Sequence, residues 1–308
     1  MSNYWAEREA KHIEEMLKRH VNYEQEIHRR YLQLWKTIEA EIQQFYVAYA
    51  GKEKISIDGA KRRASKHDVQ IFAEKAKRYV QTRDFSKEAN EQLRLYNLTM
   101  KVNRLELLKS KIGLYLTDNT NQLQTYFTAM LTEEAVAEFV RQAGILGGSI
   151  LSKETYRMFA KAIIDGSFHN ATFSQRLWVN QDVLKASIDR LLTVGLSAGK
   201  HPDILARELR KLVVIDSLRG KETADYVARR LMISESARIQ SEVQKQSYEK
   251  YGYEEYNLIV ESNACPICVG IASANPHKVS EMSPGINASP IHNWCRCSTA
   301  PAYKDKKF

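Results

Sequence analysis

All four cysteines of the 308-residue chain lie beyond residue 264. Cys265 and Cys268 form a C-x-x-C pair in "NACPICVGI", Cys295 and Cys297 form a C-x-C pair in "IHNWCRCS", and His292 stands three residues before Cys295. Sulfur at such spacings bonds to sulfur, carries electrons or ligates metal. A redox C-x-x-C opens a helix inside a βαβ unit, a pattern that does not flank Cys265, and redox chemistry leaves the second close-set pair unexplained. Structural disulfides belong to oxidising compartments. The opening "MSNYWAEREAKHIEEM" is charged from its seventh residue and lacks a secretory apolar run, so a soluble, cytoplasmically made product is expected.

Zinc accounts for the whole cluster, because two short-spaced pairs separated by a loop deliver four sulfur or nitrogen donors to a tetrahedral ion. Five donors compete for four places. Either the four cysteines bind with His292 behind them, or three cysteines bind with His292 and one C-x-C sulfur is spare. His277, in the intervening loop, reads as a solvated histidine. A site closed by four protein ligands is structural, since catalysis needs an open position; the expectation is structural Zn2+, with no catalytic residue and no organic cofactor. His292-Asn293 begins the His-Asn-His pattern of some metal-dependent nucleases, but no histidine follows it.

The elements that must position these residues are mostly helices. Glycine and proline are sparse, thirteen and six in the chain, which favours helix. Apolar positions at Ile13, Met16/Leu17, Val21, Ile27, Tyr31, Leu34/Trp35, Ile38, Ile42 and Phe45/Tyr46 recur in steps of three or four, predicting one long amphipathic helix that stops near Gly51. Further helices are expected at about 60–81, 87–112, 133–143 and 153–165, then through "FSQRLWVNQDVLKASIDRLLTVGLSAG", "HPDILARELRKLV" and "KETADYVARRLMISESARIQSEVQKQSYEKYG". "GILGGSIL" at 144–151 reads as a hinge; no Lys-Ser/Thr follows, so it is not a phosphate loop. After Gly252 the texture changes. "YEEYNLIVES" reads as a strand, and Pro266, Pro276, Pro284, Pro290 and Pro301 crowd an irregular tail with too little apolar bulk to hold itself together. The fold class expected is mainly α, with long N-terminal helices, a helical middle and a small zinc-stapled α+β C-terminal module. The divisions are 1–118, 119–250 and 251–308.

The net charge is +9, and the tail contributes none of it: residues 251–308 hold five basic and five acidic groups. The stretch 61–83 is the concentrated part, with eight basic and two acidic residues. Lys61, Arg62, Arg63, Lys66, Lys75, Lys77 and Arg78 would neutralise phosphates without reading sequence; against this, lysines opposite Val69, Phe72, Ala76 and Val80 are also what the solvated face of a packed helix looks like. The longest uncharged runs are too short for a membrane span. "HPDILARELRKLVVIDSLRGKETADYVARRL" has the look of a helix-turn-helix, which makes sequence-specific DNA binding the alternative class. An enzyme is the third: Glu235, Tyr253 and Tyr256 would line a pocket, but no nucleophile–base set follows from spacing. Trp178 and Trp294 read as packing anchors, the latter over the metal site.

"ESNACPICVGI" followed by "SPIHNWCRCSTAPAY" resembles the C-terminal signature of the phage head morphogenesis proteins, the Mu F-like minor head proteins, in which a strand leads into C-P-x-C and a P-x-H-x-x-C-R-C motif closes the chain. The likeness runs over about 170–303, and the amino-terminal helix also resembles minor capsid proteins of phages of Gram-positive hosts. The loop "VGIASANPHKVSEM" and the Ser262-Asn263-Ala264 step depart from the pattern without touching a ligand position. The resemblance implies a minor structural protein of a tailed-phage head, made in the bacterial host and held inside the virion near the portal. Its implied partners are the portal protein and scaffolding or major capsid protein; non-specific double-stranded DNA is the partner expected of the basic stretch.

Overall fold

The computed structural model describes residues 2–49, 104–214 and 223–302. Helix α1 (Ser2–Tyr49) is followed by α2 (Arg104–Ile145), α3 (Lys153–Ile164), α4 (Phe173–Ser197), α5 (Pro202–Val213) and α6 (Ala224–Lys250). The tail holds β1 (Glu255–Ile259), α7 (Pro266–Ala272), β2 (His277–Lys278), a 3-10 turn (Val279–Glu281) and β3 (Ser298–Pro301). The chain is therefore mainly α with a small C-terminal sheet. The expected helix at 60–81, most of that at 87–112, and all seven basic residues proposed for DNA contact lie outside the described residues.

Two compact units share the helices. One gathers Met1–Gln25, Tyr126–Phe173 and Arg229–Phe308; the other gathers Glu26–Thr125 and Ser174–Ala228. In the first unit, α1 buries Ile13, Met16, His20 and Tyr23, whereas Val21 stands out in solvent at 52% exposure. The sequence period put Val21 inside, and the polar partners decide otherwise. His20 Nε2 lies 3.1 Å from Ser236 Oγ, which donates to Glu134 Oε2 at 2.6 Å, and Tyr23 donates to Glu134 Oε1 at 3.0 Å. Two polar side chains with ready acceptors displace a valine from the stripe.

Helix α2 is one continuous helix where the sequence suggested two. Its buried positions include Ile112, Leu114, Leu116, Thr117, Asn119, Thr120 and Leu123, which together cover most of its circumference. Burial on all sides erases the apolar stripe by which a helix is read. The same holds for α6, where every residue from Leu231 to Ser241 is buried. In the second unit, Tyr46 donates to the Lys200 carbonyl at 2.7 Å, Glu41 accepts from Lys111 and Tyr115, and Trp178 donates to Gln124 at 2.7 Å. Trp178 is thus a packing anchor, as its type suggests.

Helix ends follow local chemistry. Ser152 Oγ caps α3 by accepting from the Thr155 N–H, and His201 caps α5 with Pro202 in its first turn. Gly252, at φ 75°, takes the left-handed turn that ends α6 and starts the chain towards β1.

The sheet runs β2-β1-β3. β1 pairs antiparallel with β3 from Tyr256↔Pro301 to Ile259↔Ser298, and with β2 at Glu255↔Lys278 and Tyr256↔His277. The period of two sends Tyr256 and Leu258 to the buried face. Tyr256 joins Tyr248, Val279, Met282 and Ala288 in one cluster, and Leu258 joins Cys268, Cys295 and Cys297 in another. Asn275 closes the ladder by bonding both the N–H and the carbonyl of Leu258, at 2.8 and 3.0 Å.

Candidate metal centre

Cys265 stands in extended backbone as the N-cap of α7, with Pro266 in the first turn, and its Sγ accepts from the Cys268 N–H at 3.5 Å. Proline preset for a helical start and a sulfur that can cap it are what the sequence C-P-I-C provides. One turn on, Cys268 is buried. The second pair arrives from the other side, on the approach to β3, so the β1–β3 register brings Cys297 level with the end of β1.

These elements converge five donors. Cys265, Cys268 and His292 have their ligand atoms within 4.8 Å of one another, as do Cys268, Cys295 and Cys297. The two groups meet at Cys268. His292 Nε2 lies 3.1 Å from Cys265 Sγ and 3.3 Å from Cys268 Sγ, and Cys268 Sγ lies 3.8 Å from Cys295 Sγ. All four cysteines are free thiols. A tetrahedron of ~2.3 Å metal–sulfur bonds has edges of about 3.8 Å, so the sulfur–sulfur approach matches ligation geometry.

His292 is also set for ligation. Its Nδ1 sits 2.7 Å from the Asn293 carbonyl, an acceptor, so Nδ1 carries the proton and Nε2 turns its lone pair towards the sulfurs. A carbonyl behind the ring that fixes the tautomer is the usual support of a metal-binding histidine. His277 belongs to neither group; its Nε2 meets the Ile271 carbonyl at 3.0 Å.

The thiols divide the charge unevenly. The Cys297 thiol, the Ser289 hydroxyl at 3.3 Å and nearby backbone N–H groups hold Cys295 down at about 4. Backbone donation from Cys268 lowers Cys265. Burial and the neighbouring Cys295 charge push Cys268 up to about 12, and hydrogen bonding to Cys295 followed by burial raises Cys297. For His292, burial acts downwards, but the Asn293 carbonyl and the Cys295 and Cys265 charges outweigh it and the net direction is up. Without a cation, the Cys295 charge holds back ionisation of Cys268 and Cys297. A divalent cation would let the remaining thiols ionise, which is why such donor sets release protons on binding. The residues present fit a metal ion by donor type, spacing and histidine tautomer.

Residues 186–300 match the family model described as Phage Mu protein F like protein. This stretch is Mu F-like. It runs from within α4 to β3 and contains all five donors. No curated protein and no solved structure matches the chain. The match accords with a phage head morphogenesis protein.

Around the Mu F-like donors the structure assembles polar residues that the sequence left unremarked. Ser298 Oγ donates to Glu9 at 2.6 Å and accepts from Gln240 and Gln244 at 2.8 and 3.0 Å, while Thr299 donates to Gln244 Oε1 at 2.7 Å. Arg141 holds Glu9 at 2.8 and 2.9 Å and Glu138 at 2.7 Å through two nitrogens. The available signal was position: Glu9 lies one helical turn before Ile13, on the buried stripe. Glu235, weighed above as a pocket residue, is buried and paired with Arg238 at 2.7 Å; Arg238 also bonds the Ile163 carbonyl. Tyr256 is buried with its hydroxyl on the Asn287 carbonyl. Trp294 takes a left-handed backbone, φ 66°, and its ring underlies the Arg296 guanidinium at 5.5 Å.

Proposed function

We propose that the protein is a minor structural component of a tailed-phage head that acts in assembly with the portal, and that zinc staples its C-terminal module, residues 251–308. The observation that carries this is the coincidence of the Mu F-like match with a five-donor cluster inside it. Zinc is the ion that thiolate and imidazole donors at these spacings suit best, and when bound it would cross-link α7 to the approach to β3. Such a link offsets the small apolar content of the tail, because metal binding supplies folding free energy to modules of this size. Residence near the portal inside the virion and non-specific DNA contact through 61–83 are parts of the same proposal. The role is structural, not enzymatic.

The helix-turn-helix alternative fits less well. Residues 200–250, which contain the candidate segment, carry eleven basic and eight acidic groups, a surplus of only three, little for a duplex-reading module.

Two measurements test the proposal. Anaerobically purified protein should carry one zinc per chain by mass spectrometry, with thiols released only after chelation. Cys268→Ser, which touches both donor groups, should abolish retention, and whichever of Cys297→Ser and His292→Ala keeps the metal marks the residue that is not a ligand. Purified particles of the encoding phage should contain the chain with the portal in few copies. Particles without it would overturn the head assignment, and metal-free protein with two oxidisable pairs would overturn the staple.

A further inference from the structure

The strip from Cys295 to Ser298 faces two ways. Cys295 and Cys297, both fully buried, turn to the donor cluster. The residues that alternate with them reach the first half of α1, within the same compact unit. Arg296 donates to Glu24 at 2.9 Å across 272 residues, and Ser298 donates to Glu9 at 2.6 Å across 289.

Neither contact is incidental. Glu9 is only 4% exposed, and its charge partner Arg141 is shared with a second buried carboxylate, Glu138. One guanidinium is shared by two carboxylates, and Glu9 is completed by the Ser298 hydroxyl at 2.6 Å and, more distantly, the Gln244 amide at 3.4 Å. Ser298 in turn is the acceptor for the Gln240 and Gln244 amides. Displacing the strip would take the closest hydroxyl from a buried carboxylate and the acceptor from the Gln240 amide, while Gln244 keeps Glu138 at 3.0 Å; a buried polar group left short of a partner costs more than the bond itself contributes.

We propose that this strip is a metal-set clasp for residues 2–25 of α1, an inference that rests on the metal reading of the cysteine cluster. With the donors tied together, Arg296 and Ser298 are held where Glu24 and Glu9 meet them. With the donors untied, the strip loosens and the amino-terminal helix loses its polar anchors, although Ile13, Met16 and Tyr23 stay buried. Placement of the chain's beginning is thereby linked to metal occupancy near its end.

Hydrogen exchange of the full chain, read by mass spectrometry under reducing conditions, tests the clasp, with metal content measured on the same samples. Chelation should accelerate exchange about tenfold over residues 5–25 as well as over 292–302, the change expected on losing a charged hydrogen bond, while α3 stays protected. Ser298→Ala should show the faster α1 exchange before any chelator is added. If that variant does not fold, Arg296→Gln, at the half-buried rim, should keep its metal yet already exchange faster over 18–25 and respond little to chelation. Metal release that loosens 292–302 but leaves 5–25 unchanged overturns the clasp and spares the staple. Protein that never held metal overturns both.

Discussion

His20 is the residue whose chemistry is most at odds with its surroundings. Burial first, then the charges of Arg296 and Arg19, hold its pKa down at about 3 against an ordinary 6.5. The folded protein therefore binds fewer protons than the unfolded chain between those values, and stability contributed by neutral His20 is present above pH 6.5 and drains away as pH falls towards 3. A tenfold change in proton affinity corresponds to ~1.4 kcal/mol, so the contribution is of several kcal/mol. Glu134 opposes it in sign, since burial raises its pKa and the folded state keeps its proton more readily. His20→Gln, which keeps a donor for Ser236 but has nothing to titrate, should be less stable than wild type at pH 7 and approach it by pH 5 in urea unfolding. Metal loss in acid is common to both proteins and cancels in the comparison. A gap between the two that stays constant with pH would show that His20 is not neutral in the fold for the reason given.

At the level of elements, what could be read from the sequence depended on whether burial is one-sided. The stripe of α1 was legible because one face is wet, and the start of α5 was legible because Pro202 and its cap mark it. The continuity of α2 was not, because residues such as Thr117 and Thr120 are buried among leucines and break the pattern. The donors of the candidate site were legible from residue type alone, whereas the serines and glutamines behind them carry no such label. β1 links the two kinds of information. Its Leu258, 2% exposed, backs Cys268, Cys295 and Cys297. Leu258→Ala should cost about 2–5 kcal/mol through the cavity it leaves, and the softened backing should speed metal release to a competing chelator. Equal release rates from variant and wild type would mean that the strand does not brace the site.

For the whole molecule the open quantity is charge. The chain carries +9, residues 251–308 sum to zero, and the stretch 61–83 has eight basic residues to two acidic ones. A head protein confined with packaged DNA would meet phosphate at high concentration, and a basic stretch that contacts phosphates alone would bind it through counterion release. Affinity for double-stranded DNA should then fall steeply with salt and hardly vary with sequence. Replacing Lys61, Arg62, Arg63, Lys66, Lys75, Lys77 and Arg78 by glutamine should flatten the plot of log affinity against log salt by ~0.9 for each phosphate no longer neutralised, with metal content unchanged because the donors lie elsewhere in the chain. Titrations on two unrelated duplexes at several salt concentrations separate the cases. A slope that survives the seven substitutions would assign these residues to a helix's solvated face, and a strong preference for one duplex would return sequence-specific recognition to first place.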